Sequence, residues 1–201
     1  MRALDAEMTV LDFETTGSVA GYAVEAWQLG MVTIKKGEIV RDSAYSQLLR
    51  VGERPFNPNA PGKHHVLREE LQIAPPLPEL WGVLSNWWLG KPLVAHNTGT
   101  ERKFVKQTAP MHKIGPWIDT LKLVRLAYPD LPSHALDEVI EALSLRKTLR
   151  GFTGPLEPHD ALYDAFASAV LLLHLLGLPN WENARIEDLV SARPVAYYKK
   201  R

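Results

Sequence analysis

Two carboxylates stand inside an apolar segment close to the start of the chain. The segment MTVLDFE at residues 8–14 is rich in strand-forming side chains and ends at the turn sequence Thr15-Thr16-Gly17. On a strand, Asp12 and Glu14 leave the same face because they are two residues apart. Ionised groups among apolar residues are costly, and neighbouring carboxylates repel unless a cation lies between them. Since hard oxygen ligands suit Mg²⁺ or Mn²⁺, the pattern predicts a metal site where this strand ends.

The rest of the chain alternates predicted strands and helices after an initial meander. Two further strands are expected at residues 26–35 and 38–49, and the proline-rich residues 51–78 are expected to form a long surface connection with one short helix near 67–71. The later predicted elements are a helix containing Leu80, Leu84, Trp87 and Trp88, a strand at 93–96, a helix at 100–107, a strand at 117–120, and helices at 121–127, from near Ser133 to Leu143, and at 160–176. This order predicts an α/β fold with a mixed central sheet flanked by helices, as a domain at residues 1–178 followed by a C-terminal extension at 179–201.

Composition and charge narrow the classes of protein to consider. The chain has no cysteine, which excludes disulfides, zinc–thiolate sites and thiol nucleophiles. Lys and Arg together number 23, as do Asp and Glu, and this balance favours a small nucleic-acid footprint, such as a strand end, over a long duplex held through many phosphates. Neither a secretory signal nor a run of membrane-spanning length is apparent, so a cytoplasmic protein without a membrane partner is expected.

A histidine and an acidic residue open the last predicted helix. Asp164 lies in strongly apolar sequence and is expected to point at the sheet edge that carries Asp12. Histidine titrates near neutral pH, so His159 suits the role of a general base that takes a proton from water. The alternative is that Asp160 caps the helix and His159 is a surface loop residue.

These segments together resemble the DEDD exonuclease superfamily in its histidine-bearing DEDDh branch. The branch includes the proofreading epsilon subunit of bacterial DNA polymerase III, ribonuclease T and oligoribonuclease. Its first motif is matched by VLDFETTG at residues 10–17, its second partly by LVAHNTGTERKF at 93–104, and its third by HDALYDA at 159–165. The segment IDTL at residues 118–121 also looks like the strand-to-helix segment of the family. The resemblance extends over residues 8–178 and implies a ribonuclease H-like exonuclease fold.

The resemblance implies a metal-dependent 3′–5′ exonuclease that releases 5′-nucleotides from the 3′ end of a nucleic acid. Two Mg²⁺ or Mn²⁺ ions would be held by four acidic residues, with His159 as the general base; the four are Asp12, Glu14, Glu101 and Asp164. The candidate substrate-binding residues are Thr15, Thr16, Gly17, His96 and Asn97. For His96 and Asn97 the open alternative is that they satisfy buried backbone groups at a strand end.

The second motif departs from the family pattern. Glu101 stands where the family has an aspartate, and Thr100 stands where it has a phenylalanine. Glutamate keeps the charge but reaches one methylene further, and a misplacement of about an ångström can cost about a hundredfold in rate. This leaves open a catalytically silent module that binds nucleic acid or a polymerase partner. Single-stranded DNA is the first candidate substrate and short RNA the alternative; a polymerase or repair protein is a candidate partner, and the oligomeric state stays open.

Other aromatic, histidine and basic residues carry weaker signals. Trp27, Trp81 and Trp88 are expected in the core, whereas Trp117 and Trp181 are left between core packing and base stacking. Residues without an assigned role are expected in loops or on solvated faces, although the basic groups among them could touch a nucleic-acid strand; they are His64, His65, Arg146, Lys147, Arg150, Lys199, Lys200 and Arg201.

Overall fold

The computed structural model of the protein describes residues 1–63 and 67–193. The expectations for His64, His65 and residues 199–201 lie outside the described residues. The strands in the described part are β1 Glu7–Thr15, β2 Ala26–Lys35, β3 Glu38–Leu48, β4 Leu93–Ala95 and β5 Trp117–Asp119. The α-helices there are α1 Arg68–Ile73, α2 Trp81–Trp88, α3 Gly99–Thr108, α4 Thr120–Ala127, α5 Leu136–Ala142, α6 Arg146–Thr153, α7 Ala161–Leu176 and α8 Ile186–Val190. Short 3-10 helices are Ala3–Asp5 and Leu77–Leu80.

The strands form one sheet in the order β3-β2-β1-β4-β5. β1 and β2 are antiparallel, as are β2 and β3, whereas β4 lies parallel to both β1 and β5. The sheet is therefore mixed, as predicted. In the register of β1 with β2, Asp12 lies opposite Gly30 and Glu14 lies opposite Gln28.

Helices cover both faces of the sheet, which explains why β1 and β2 are apolar along most of their length. On one face, Val10 and Val32 pack into a core that includes α7, most of whose apolar residues are buried. On the other face, Leu11 and Leu29 pack against side chains of α2 and α3. No helix in residues 1–63 and 67–193 is long and apolar enough to cross a membrane.

The structure corrects several predicted boundaries. The helix expected from near Ser133 begins at Leu136, because Ala135 before it is extended. α6 was not expected, because its sequence is mostly polar; it buries Leu149 and Thr153 against the domain. Beyond residue 178 the chain continues into the same core, where Trp181 is 1% exposed. The separate extension at 179–201 stays a prediction.

Candidate active site

The two acidic residues of β1 lie at the end of the row of side chains that packs against α7. Met8 and Val10 occupy this row in the core, and Asp12 and Glu14 continue it towards the end of the strand. Asp12 is half-buried, while Glu14 is only 8% exposed. The apolar strand therefore places two carboxylates in a site that is largely buried.

The beginning of α7 is fastened to β2. The Asp160 carboxylate caps the helix by accepting hydrogen bonds from Leu162 N at 3.0 Å and Tyr163 N at 3.4 Å. Gln28 on β2 accepts from Ala161 N at 3.2 Å and donates its amide to Asp160 Oδ2 at 3.1 Å. These bonds place the first turn of α7, which carries Asp164, beside the acidic residues of β1.

Gly30 allows this close approach of helix and sheet. A Cβ atom on Gly30 would lie 2.2 Å from backbone atoms of Ala161 and Leu162, a distance that real Cβ contacts do not reach. Because Gly30 is the strand partner of Asp12, this close contact of α7 with the sheet falls at the level of Asp12. The missing side chain thus sets the distance between Asp164 and β1.

His159 lies directly before the helix, in an uncommon backbone conformation. Its φ is 66°, in the left-handed region, and its N–H donates to Asp164 Oδ2 at 3.0 Å. The side chain is exposed, and its ring lies with Glu14 and Asp164 in a group whose ligand atoms are all within 4.8 Å of one another. Strain of this kind is held where surrounding contacts over-determine it, often at functional sites. Asp160 caps the helix, as the alternative interpretation expected, and His159 nevertheless lies beside Glu14 and Asp164.

Glu101 adds a fourth acidic residue from the other side of β1. Asp12, Glu14, Glu101 and Asp164 are together called the acid cluster. It lies in the first turn of α3 and is 3% exposed. Its charge acts on Asp12 and raises the pKa of that carboxyl group, after the larger effects of burial and of Asp164. Among the described residues, Glu101 Oε2 is buried without a hydrogen-bond partner. The charge of the off-pattern glutamate therefore acts on the site that the other three acids form.

Burial raises the pKa of every acid in the cluster, and the charges of nearby acids, some of them outside the cluster, raise it further. Burial is the largest cause for each of them. The pKa of Glu14 rises to about 8, with the charge of Asp164 as the next cause. The pKa of Asp164 rises to about 7, as does that of Glu101. The pKa of Asp12 is raised well above its usual range. In the absence of a cation, the folded protein therefore holds protons on these carboxyl groups near neutral pH.

Many polar groups of the turn that follows β1 form hydrogen bonds with other groups of the protein. Thr16 is fully buried; its N–H donates to Glu25 O at 2.9 Å and its hydroxyl accepts from Glu25 N at 3.1 Å. Its carbonyl accepts from Asn57 N at 3.1 Å. Thr16 is thus placed to support the turn, whereas Thr15 and Gly17 are half-buried at its surface. Nucleotide contact by this turn stays a prediction.

His96 and Asn97 lie at the end of β4, next to the beginning of α3. One ring nitrogen of His96, Nδ1, contacts Thr120 Oγ1 at 3.0 Å, and the other, Nε2, contacts His134 O at 2.9 Å. Both ring nitrogens therefore contact protein groups. This favours the alternative that His96 satisfies buried groups at the strand end over a contact with substrate. Asn97 is exposed, with φ of 67°, and its N–H donates to Asp119 Oδ1 at 3.1 Å.

A family model described as Exonuclease, of the RNase T type, matches residues 9–172. The chain belongs to this exonuclease family. The match covers all three motifs, which confirms the resemblance recognised in the sequence, and it makes the protein an exonuclease-family nuclease.

Individual relatives of this exonuclease cover most of its length. Exodeoxyribonuclease 10 of Escherichia coli is 28% identical over 192 residues, which are 93% of this chain and 76% of the relative. The PolC-type DNA polymerase III of Bacillus cereus is 29% identical over 172 residues, 83% of this chain but 11% of the polymerase. The chain thus corresponds to a small part of such polymerases.

Solved structures agree with the fold. Exonuclease X in complex with 5′ overhanging duplex DNA has a TM-score of 0.65 and 25% identity, covering 91% of this chain and 99% of that one. The nuclease domain of 3′hExo, a DEDDh family member bound to rAMP, has a TM-score of 0.62 and 17% identity, covering 88% of this chain and 94% of that one. The predicted ribonuclease H-like exonuclease fold is confirmed.

Three supporting residues of this exonuclease were missed in the sequence. Gln28 and Gly30 lie in β2, and only the glycine within a strand hinted at a close backbone approach. Asp119 lies in the IDTL segment, where its carboxylate accepts from Asn97 N and from Leu121 N, both at 3.1 Å. It therefore ties the loop before α3 to the beginning of α4.

The acid cluster fits a divalent cation. Besides burial, the charges of Asp164, Glu101 and Glu14 raise the pKa of Asp12, and the buried Glu101 Oε2 has no donor among the described residues. A bound cation would relieve both costs at once, because it attracts the ionised form of every acid. Oxygen ligands with one imidazole nearby form a donor set suited to Mg²⁺ or Mn²⁺.

Proposed function

We propose that this exonuclease-family nuclease is a metal-dependent 3′–5′ exonuclease that removes 5′-nucleotides from the 3′ end of single-stranded DNA. The observation that carries the proposal is that ligand atoms of Glu14, Asp164 and His159 lie within 4.8 Å of one another, while the charges of Asp164, Glu101 and Glu14 act on Asp12. A purely structural role does not account for four acids whose charges oppose one another at the end of a buried strand.

The residues divide into metal ligands and a base. Asp12, Glu14 and Asp164 would hold one or both of two ions, and Glu101 would complete the set. When bound, the ions supply Lewis-acid activation of water and stabilisation of the leaving 3′ oxygen. His159 would accept the proton of the attacking water, because its exposed ring lies within 4.8 Å of carboxylate oxygens of Glu14 and Asp164.

Asp164 serves the base as well as the metal site. Its Oδ2 accepts the backbone N–H of His159, so the carboxylate fixes the short segment that carries the imidazole. The Asp164 carboxyl group also forms a side-chain hydrogen bond with that of Glu14. The same carboxylate thereby sets the position of the general base relative to the ions, which is the kind of pre-organisation that a proton transfer requires.

DNA is favoured as the substrate by two comparisons. One relative is an exodeoxyribonuclease, and a structural neighbour at 25% identity is in complex with duplex DNA. Short RNA is the alternative, since that choice depends on contacts to the 2′-hydroxyl group. A silent module, supported in the sequence by Glu101 and Thr100, is disfavoured because Glu101 keeps the acidic charge at this position and that charge acts on Asp12.

Digestion of 5′-labelled single-stranded DNA and RNA tests the proposal. With Mg²⁺ or Mn²⁺ we expect a ladder that shortens from the 3′ end, with DNA degraded faster than RNA, and no ladder in EDTA. Asp164→Asn should abolish the ladder, whereas the matched variant Asp130→Asn, at an exposed loop position, should retain it. A ladder that persists in EDTA or in Asp164→Asn, or cleavage at internal positions, would contradict the proposal.

A further inference from the structure

α3 carries opposite charges on its two sides. Glu101 and Phe104 are buried, the first towards the acid cluster and the second in contact with the ring of Phe13. The intervening and following positions hold exposed cations, so that a basic stripe runs along the outer side of the helix; the cations are Arg102, Lys103 and Lys106. A helix that only covered the core would not need its outer side to be of one sign.

The basic stripe forms one wall of a cleft of about 480 Å³. Lys113 adds a fourth cation, and the indole of Trp117 and the imidazole of His112 provide apolar and aromatic surface. No acidic residue lines the cleft in the part of the chain that the structure describes. We call this the α3 cleft.

In the part of the chain that the structure describes, none of the four cations of the α3 cleft forms an ion pair with an acidic side chain. Ion pairs among the described residues involve other cations, such as Lys35, Lys91 and Arg146. Lys106 donates to the carbonyl of Pro110 at 2.7 Å, a contact that leaves its charge uncompensated. In a chain whose formal net charge is +0, such a cluster produces a local positive potential that attracts an anionic ligand.

The position of the cleft relates it to the candidate active site. Gly99 lines the cleft at the beginning of α3, two residues before Glu101. From Glu101 to Lys106 the helix rises by roughly 7.5 Å, which is the length of one to two nucleotides of an extended strand. A strand whose 3′ end lies in the acid cluster can therefore reach the cleft within a few nucleotides.

We propose that the α3 cleft binds the phosphate backbone of the nucleic-acid strand on the 5′ side of the terminal nucleotides; this rests on the proposed function. Clustered cations with an aromatic wall are suited to a single strand, since phosphates meet the cations and a base can stack on the ring. The cleft would then make the enzyme favour oligonucleotides over mononucleotide esters. An acidic protein surface is the competing occupant.

Binding of a fluorescein-labelled oligothymidylate of about twenty nucleotides, measured by anisotropy in EDTA, tests this inference. The triple variant Arg102→Gln, Lys103→Gln, Lys106→Gln should weaken binding about 10- to 100-fold in 0.1 M KCl. The slope of log Kd against log salt should fall by about 2, because each lost phosphate contact on a single strand removes about 0.7. The control triple variant at exposed cations elsewhere should bind as the wild type does; it changes Lys36, Arg185 and Arg193 to Gln.

A cleft variant that keeps the wild-type melting temperature, affinity and salt slope would overturn the inference and leave an acidic protein as the occupant. An equal loss in the control triple would also overturn it, since any basic surface would then suffice. The measurement needs no hydrolysis, so it is separate from the proposed function. Unchanged binding with a normal 3′ ladder contradicts only the cleft, whereas cleft-dependent binding without a ladder contradicts only the catalytic proposal.

Discussion

At the scale of single residues, Glu101 lowers the stability of the metal-free protein and is also a candidate ligand for a cation. It is 3% exposed, its pKa is raised to about 7, and its Oε2 has no donor among the described residues. A buried carboxyl group in this state destabilises the protein that carries it. Sites that break the rules of stable packing in this way are commonly functional.

Replacing Glu101 with glutamine should therefore separate stability from activity. Glutamine keeps the shape, removes the charge and supplies an amide that can donate to neighbouring carboxylates. We expect Glu101→Gln to melt at a higher temperature than the wild type without metal near pH 8, and to lose about a hundredfold in rate with Mg²⁺. Thermal unfolding and ladder assays on the same samples provide the measurement. A variant with wild-type rate would remove Glu101 from the metal site.

His159 can be tested as a base rather than as a metal ligand. The variant His159→Ala should lose about 10²- to 10⁴-fold in rate, the usual contribution of a general base. Stabilisation by Mn²⁺ should persist, because the four carboxylates remain. If the variant instead lost the Mn²⁺-induced increase in melting temperature, His159 would be a ligand; an unchanged rate would exclude it from catalysis altogether.

At the scale of elements, the site depends on how closely α7 lies on β2. Gly30→Ala would place a Cβ atom 2.2 Å from the backbone of Ala161, so the helix would have to move away from the strand. We expect a loss of about 1–3 kcal/mol in the free energy of unfolding, measured in urea, and a lower rate even where the variant is folded, because Asp164 moves with the helix.

Gly82→Ala is the matched control for this prediction. Gly82 lies in α2, and a Cβ atom there would have no heavy atom within 4 Å. Alanine should therefore stabilise the protein by about 0.4–1 kcal/mol and leave the rate unchanged. If Gly30→Ala were as stable and as active as Gly82→Ala, the proposed role of the close helix–strand contact would be wrong.

A feature of the site could be predicted from the sequence where it depends on residues close together in the chain. Strand periodicity places Asp12 and Glu14 on one face, and the resemblance of the HDALYDA segment to the third motif of the exonuclease family brought out His159 and Asp164. The pairing of Asp12 with Gly30, and of Gln28 with the first turn of α7, joins residues far apart in the chain, and no local pattern signals it. α6 was missed because it is short and mostly polar, and its buried residues are only Leu149 and Thr153.

At the scale of the whole molecule, a net charge of +0 conceals a strong separation of charge. The acid cluster occupies the end of β1, while the α3 cleft concentrates cations on the far side of Glu101. This arrangement suits a nucleic acid whose 3′ end binds the acid cluster through metal cations. Its phosphate backbone would bind the basic residues of the α3 cleft directly. Composition alone, which favoured a small nucleic-acid footprint, could not show this division.

The acid cluster also determines how stability depends on pH. The carboxyl groups have raised pKa values in the folded, metal-free protein, so between the usual carboxyl range and about pH 8 the folded state binds more protons than the unfolded state. The free energy of unfolding should therefore fall as pH rises through this window. A divalent cation binds the deprotonated carboxylates, so its stabilising effect should grow over the same window.

The most direct test of the central claim, that these acids form a divalent-metal site, is the melting temperature measured near pH 6 and pH 8 with and without millimolar Mn²⁺. Without metal, the wild type should melt at a lower temperature near pH 8 than near pH 6. Mn²⁺ should raise the melting temperature, more so near pH 8, and should do little to Asp164→Asn. A wild type whose melting temperature near pH 8 does not respond to Mn²⁺ would contradict the account.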